Sequence, residues 1–198
     1  SNAAKRNAVW AGGARALFVS RILIPILAMM LTPAFAATPA ARDAAKGNPR
    51  LASLEIEIWP EYDRPAALVI LKGEIAANVP LPAAVSLRIS AASGGPAAVA
   101  YSSGPDSNLL NLKYERGDAG DFITVKFDTP ERFFHIEFYD PLATGAPARA
   151  YTYVWTADLA ADRLGVIVQE PAGVSELSVI PALNSTVTGQ DGMLYKSA

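Results

Sequence analysis

Short runs in which apolar and polar residues alternate recur along the chain from Leu51 onward. Residues 54–58, Leu-Glu-Ile-Glu-Ile, alternate strictly, which is the period of a strand with one buried face. Further runs of strand length occupy residues 67–73, 84–90, 97–102, 109–114, 122–127, 133–139, 151–156, 164–170 and 176–180. Turn segments rich in Gly, Pro, Asp and Asn separate them. The pattern predicts an all-β domain over residues 51–182, an antiparallel β-sandwich of the immunoglobulin-like or jelly-roll-like kind.

The segments that flank this domain follow other patterns. Residues 1–3, Ser-Asn-Ala, look like the remnant of a cleaved tag, and residues 4–36 have the basic start, short apolar run and small terminal residues of a signal peptide. Cleavage is expected after Ala36, and a segment retained as a membrane anchor is the alternative. Residues 37–50 are predicted to be a flexible linker. Residues 183–198 form a polar tail in which Gln-Asp-Gly suggests a last hairpin turn.

The charge balance and the lack of cysteine limit the kind of protein. The chain carries 17 Lys and Arg against 19 Asp and Glu, a net charge of −2. The predicted signal peptide holds four basic residues and no acidic ones, so its removal leaves a domain of net charge about −6. Such a domain lacks the basic surface that nucleic acid requires. Without cysteine it has neither a disulfide nor a site for a lipid anchor. We therefore expect a soluble bacterial product, exported to the periplasm or secreted.

The heptapeptide Trp-Pro-Glu-Tyr-Asp-Arg-Pro connects two predicted strands. Its prolines interrupt strand pairing, and its aspartate can shape a turn. We interpret the segment as a structural corner in which the Trp and Tyr rings plug the open end of the sandwich. This corner comprises Trp59, Pro60, Tyr62, Asp63, Arg64 and Pro65. Glu61 and Asp63 are weak candidates for a calcium site, but Ca²⁺ takes six to eight oxygen ligands. Hence neither a metal site nor a cofactor is predicted.

Residues 59–89, WPEYDRPAALVILKGEIAANVPLPAAVSLRI, carry a resemblance to a known group of proteins. They resemble a family of exported or membrane-anchored bacterial β-domains in which a W-P-E-Y-D-R-P corner precedes a strand, a V-P-L-P turn and another strand. Residues 133–142 and 166–173 fit the same pattern, so the resemblance covers most of residues 54–181. It implies export and a sandwich fold, and it supplies no activity.

The sequence lacks the residues that several common catalytic centres require. His135 is the single histidine and cysteine is absent, which excludes multi-histidine and cysteine-based zinc sites. The G-x-S-x-G elbow and the glycine-rich nucleotide-binding motifs are also missing. We therefore predict that the protein is not an enzyme. A hydrolase that acts on envelope polysaccharide through paired carboxylates is the alternative, because the chain has many Asp and Glu residues.

Alternation within residues 132–140 indicates a face that could meet a ligand. Phe134, Ile136 and Phe138 would point into the core, and their neighbours would then point outward. If residues 151–155 pair with this run, their aromatic residues could widen the outer face into a strip across two strands. The predicted ligand-binding residues are Phe133, His135, Glu137, Tyr139, Tyr151, Tyr153 and Trp155. The alternative for the last three is burial in the core.

These observations favour a non-catalytic exported module for binding or assembly with a protein or glycan partner. Aromatic rings with nearby carboxylates suit sugar rings or an extended peptide. Two alternatives stay open at this point. One is the polysaccharide hydrolase, and the other is a structural scaffold domain within a membrane-associated complex.

Overall fold

A computed structural model describes residues 47–145 and 148–198. The predicted tag remnant, the predicted signal peptide and most of the predicted linker lie outside the described residues. Within the described part, no helix is both long enough and apolar enough to cross a membrane.

The described chain is all-β, as predicted. A single 3-10 turn, Ala91–Ser93, interrupts a series of strands. The strands are β1 Leu51–Pro60, β2 Ala66–Ile75, β3 Ala83–Ser90, β4 Ala98–Ser102, β5 Leu110–Asn111, β6 Glu115–Ala119, β7 Phe122–Thr129, β8 Phe133–Pro141, β9 Ala143–Gly145, β10 Ala148–Ala150, β11 Leu164–Gln169, β12 Ser185–Thr188 and β13 Leu194–Ser197.

Most strands belong to two sheets, and β9 and β10 form a separate two-stranded ribbon. The large sheet has the order β12-β13-β11-β1-β2-β8-β4-β5, and the small sheet has the order β3-β7-β6. All pairs are antiparallel except that of β1 with β11, in which Ile56 lies opposite Val166. The centre of the large sheet therefore joins β1 to a strand that lies far from it in the sequence.

The inner faces of the two sheets pack together around one hydrophobic core. Alternate residues of β1, β2, β4 and β8 meet those of β3 and β7. The Phe134 ring of the large sheet contacts the Phe127 ring of the small sheet edge to face, with 5.5 Å between centroids. Phe134, Ile136 and Phe138 are buried, as the alternation of β8 predicts.

One glycine in β2 makes room for this aromatic contact. Gly73 pairs with Phe134 across the strands, and a Cβ atom at Gly73 would lie 2.0 Å from Cζ of Phe134. A glycine inside a strand often marks such a close approach. The phenyl ring thus occupies the volume that a side chain at residue 73 would need.

Side chains cap the free edge of β3. The backbone N–H of Ser86 donates to Oδ1 of Asn48 at 2.8 Å, and that of Arg88 donates to Oδ2 of Asp158 at 2.9 Å. The Arg88 guanidinium also bonds the Asp158 carboxylate, with Nη2 at 2.8 Å from Oδ1. These bonds satisfy donors that an edge strand would otherwise offer to another chain. They also show that Asn48, in the predicted linker, contacts the sandwich.

Two predicted strands are wrong. Residues 151–156 run as an extended segment without strand pairing, and residues 176–180 form a loop. The first error has a simple cause, because β8 already pairs with β2 on one side and with β4 on the other. Over Phe133–Glu137 both hydrogen-bonding edges of β8 are therefore occupied, and residues 151–156 cannot pair there.

The polar tail folds into the large sheet. Strands β12 and β13 form a hairpin around residues 189–193, and β13 pairs with β11. The predicted domain boundary at residue 182 therefore falls between strands of one sheet. Strand β6 was also outside the predicted set, because its residues are all exposed and show no apolar period.

Candidate functional site

The corner between β1 and β2 is a tight hairpin. The last strand pair is Pro60 with Ala67, and the N–H of Glu61 donates to the carbonyl of Ala66 at 2.9 Å. Pro60 lies beyond Ile58, the last residue of β1 that pairs with β11, so its missing N–H removes no bond to that neighbour. Glu61 has a φ of 54°, in the left-handed region, which allows the chain to reverse.

Trp59 and Tyr62 do not plug the end of the sandwich. Trp59 follows Glu55 and Glu57 in the alternation of β1, so its side chain lies on the outer face of the large sheet. There it contacts Tyr62 and Tyr195 edge to face, with centroid distances of 4.9 and 6.2 Å. Tyr62 is 56% exposed. The predicted plug is wrong because period-2 alternation continues through residue 59.

The charged residues of the corner contact β8 and the β9–β10 ribbon. Asp63 accepts a hydrogen bond of 2.9 Å from the Tyr139 hydroxyl, and the Arg64 guanidinium lies 3.7 Å from the centre of the same ring. Glu61 pairs with Arg149 at 2.9 Å. Within the described ranges, no group of three or more acidic or histidine side chains could hold a metal ion. The contacts of the corner fix its position against β8 and the β9–β10 ribbon.

The structure places four of the predicted ligand-binding residues together on the outer face of β8. Phe133, His135, Glu137 and Tyr139 are all half-buried there. Nε2 of His135 lies 2.7 Å from Oε1 of Glu137, and across the strands His135 faces Lys72. The outer face of β8 thus continues the face that carries Trp59, with β2 between them.

The other three predicted residues lie elsewhere. Tyr151, Tyr153 and Trp155 are half-buried and pack against the core, so the predicted strip across two strands does not form. The Tyr151 hydroxyl donates to Oδ2 of Asp140 at 2.8 Å. Burial, with the nearby Asp140 carboxylate, raises the pKa of both tyrosines. Their placement agrees with the core alternative.

Lys72 forms ion pairs with two carboxylates on the outer face of the large sheet. The Lys72 ammonium contacts Glu57 and lies 3.5 Å from Glu55. Burial lowers the pKa of Lys72, but its bonds to the two carboxylates outweigh this and raise it. Glu57 is 4% exposed, and its pKa is raised because burial prevails over the bond to Lys72. A single ammonium cannot neutralise two carboxylates, so this part of the face keeps negative charge.

A groove lies beside Glu57, between β1 and the C-terminal hairpin. We call it the hairpin groove, and its volume is about 430 Å³. Its lining combines two aromatic side chains, aliphatic side chains, two carboxylates, an amide and a hydroxyl. The lining residues are Glu57, Trp59, Ile167, Val187, Gly189, Gln190, Asp191, Tyr195 and Ser197. This volume lies within the range of about 300–1,000 Å³ that small-ligand sites occupy.

Hydrogen bonds hold the far wall of the hairpin groove. The Tyr195 hydroxyl donates to Oδ2 of Asp191 and accepts from Nε2 of Gln169 at 2.9 Å. The bond from Tyr195 and the backbone N–H of Met193 lower the pKa of Asp191. On the near wall, the buried Nε1 of Trp59 has no hydrogen-bond partner among the described residues. The groove therefore has an ordered acceptor wall and carries no Lys, Arg or His in its described lining.

Reasoning from the sequence missed the residues that build this groove. Asp191 and Tyr195 stand in a polar tail without apolar period, and Glu57 was interpreted only as the polar side of a strand. The alternation of β1 gave one usable signal, since Glu57 and Trp59 must share a face. The approach of the tail to that face depends on the pairing of β13 with β11, which no local pattern reveals.

Comparison with protein-family models finds none that matches the chain, and comparison with curated proteins also finds no match.

Proposed function

We propose that the protein is a non-catalytic exported module that binds a glycan or protein partner at the outer face of its large sheet. The hairpin groove is the observation that carries the proposal. It brings the rings of Trp59 and Tyr195 next to the carboxylates of Glu57 and Asp191. Ring faces and edges contact the C–H surface of a sugar, and carboxylates accept hydrogen bonds from its hydroxyl groups. This combination favours a glycan over a peptide.

Binding arrays of glycans and of peptides test the proposal with the purified protein. We expect saturable binding of a glycan, weakened by Asp191→Asn and by Gln190→Ala, because both side chains line the groove. Asp128→Asn is the matched control, since Asp128 is an exposed aspartate on the small sheet. Binding of peptides without binding of any glycan would identify the partner as a protein. Binding that all three variants leave unchanged would contradict the assignment of the groove.

A second candidate function rests on a different property of the same groove. Glu57 has a raised pKa and Asp191 a lowered one, and opposed shifts in two carboxylates of one site are typical of an acid and a base in glycoside hydrolysis. In that reaction Glu57 would protonate the leaving oxygen, and Asp191 would either attack the anomeric carbon or deprotonate the water that attacks it. Release of reducing ends from a polysaccharide, abolished by Glu57→Gln, would favour the hydrolase. Binding of the same glycan without cleavage would favour the module.

A further inference from the structure

A second concave site lies away from the hairpin groove, at the end of β8 next to the β9–β10 ribbon. We call it the Asp140 cavity, and its volume is about 360 Å³. Its walls are formed mainly by small and apolar residues, with one tyrosine and one carboxylate. The lining residues are Ser90, Ala92, Asp140, Pro141, Ala143, Ala150, Tyr151 and Thr152.

The carboxylate of Asp140 is buried and incompletely bonded. The residue is 6% exposed, and its Oδ2 atom accepts the hydrogen bond from Tyr151 at 2.8 Å. Its Oδ1 atom is buried without a hydrogen-bond partner among the described residues. A buried acceptor left without a donor costs about 1–3 kcal/mol, and more when the group is charged. Such an atom in a native structure calls for an explanation.

Asp140 lies on the side of β8 that faces the core, where a carboxylate is unusual. Asp140 continues the series Phe134, Ile136 and Phe138, whose side chains point into the core. Buried charges in proteins are ordinarily paired. Yet in the described part of the chain no salt bridge within 4.0 Å involves Asp140. The hydrogen bond from Tyr151 occupies only one of the two carboxylate oxygens.

We propose that the Asp140 cavity binds a primary ammonium group carried on a slim apolar stem. The ammonium group would donate to the Asp140 carboxylate and supply the opposite charge that this carboxylate lacks among the described residues. The small side chains of Ala92, Ala143 and Ala150 leave space for the stem. A metal ion is less suited, because the cavity offers one carboxylate and hard cations take six or more oxygens.

Titration with two matched probes tests this site. Butylammonium carries the proposed group, and butan-1-ol has a similar stem with a neutral end. We expect butylammonium to give saturable NMR shifts of the backbone amides of Ala143, Ala150 and Tyr151, and butan-1-ol to give none. Blocked lysine, N-acetyl-lysine methylamide, shows whether a lysine side chain of a partner can deliver the ammonium group or a free amine is required.

Two variants assign the binding to the Asp140 carboxylate. Asp140→Asn should weaken butylammonium binding about tenfold or more, since it removes the charge and keeps the shape. The surface variant Asp128→Asn should retain binding, because Asp128 is an exposed aspartate on the small sheet and does not line the cavity. If Asp140→Asn does not fold, the comparison of the two probes on the natural protein still decides. Equal shifts with butan-1-ol, or no shifts around the cavity, would overturn the proposal.

Discussion

The ring of Phe134 lies directly over Gly73, so that a Cβ atom at Gly73 would lie 2.0 Å from Cζ of the ring. The same ring contacts Phe127 of the small sheet. The packing of the two sheets therefore depends on a missing side chain in β2.

Gly73→Ala should destabilise the protein by about 1–3 kcal/mol, the cost of overpacking a core. The phenyl ring has to move, and its contact with Phe127 moves with it. Urea denaturation measures the change. Gly165→Ala is the matched control, because a Cβ atom at Gly165 in β11 meets nothing within 4 Å. Equal effects of the two substitutions would contradict the close approach at Gly73.

Asp158→Asn should lower the free energy of unfolding at pH 7 by about 1–3 kcal/mol, because the carboxylate accepts bonds from the backbone and guanidinium of Arg88. Burial opposes the effect, but bonds from Arg88 and Thr156 lower the pKa of Asp158 in the folded state. The stabilisation is therefore present above the unfolded-state pKa of about 3.9 and is lost as the pH falls toward the folded value. Denaturation curves between pH 7 and pH 3 should show the two proteins converging at the acidic end. A constant difference would contradict this account.

Trp59→Ala should lower the free energy of unfolding by about 1.5–3 kcal/mol, because the Trp59 side chain is half-buried on the outer face of the large sheet. Phe138→Ala is the comparison, because Phe138 is 1% exposed in the core and its truncation should cost about 3–5 kcal/mol. Thermal and urea melts of both variants measure the difference. A loss for Trp59 as large as that for Phe138 would place the indole in the core after all.

Loss of a tyrosine hydroxyl that donates to a carboxylate should destabilise the protein more at Tyr151 than at Tyr139. Tyr139→Phe removes an exposed bond to Asp63 and should cost less than about 1 kcal/mol. Tyr151→Phe leaves the buried Asp140 without its single described donor and should cost about 1–3 kcal/mol. Parallel urea titrations provide the measurement. The reverse order would contradict the role of Tyr151 as the donor that stabilises the buried Asp140 carboxylate.

Export is a prediction from residues 4–36 alone. Expression of the natural precursor in a bacterium should give a mature protein that begins at Ala37, because the Ala-Phe-Ala sequence precedes that residue. N-terminal sequencing of the periplasmic and secreted fractions is the measurement. An intact N-terminus on a protein confined to the cytoplasm would contradict the prediction, and one on a membrane-bound protein would favour the retained anchor.

The sequence predicts those strands in which one face is buried and the other is more exposed. Alternation located β1, β3, β7 and β8, because one side of each meets the core and the other does not. Alternation fails for β6 and β12, since all their residues are exposed. It also misplaced residues 151–156, whose aromatic side chains pack on the core without any strand pairing.

The candidate site was predictable only in part. The outer face of β8 followed from the burial of its inner residues. The hairpin groove did not, because Glu57 and Asp191 come from opposite ends of the domain and meet through the pairing of β11 with β1 and β13. Such pairing depends on tertiary structure, and a local pattern contains no information about it.

The parallel pairing of β1 with β11 also determines when the groove can exist. One wall of the hairpin groove belongs to the first strand, and the other belongs to the last hairpin. Contacts this far apart in sequence form late, because a long loop must close first. A chain still emerging from the ribosome, or one cut between residues 170 and 184, would have the Glu57 wall without the Asp191 wall. Ligand capture at the groove would thus report that the chain is present and intact through β13.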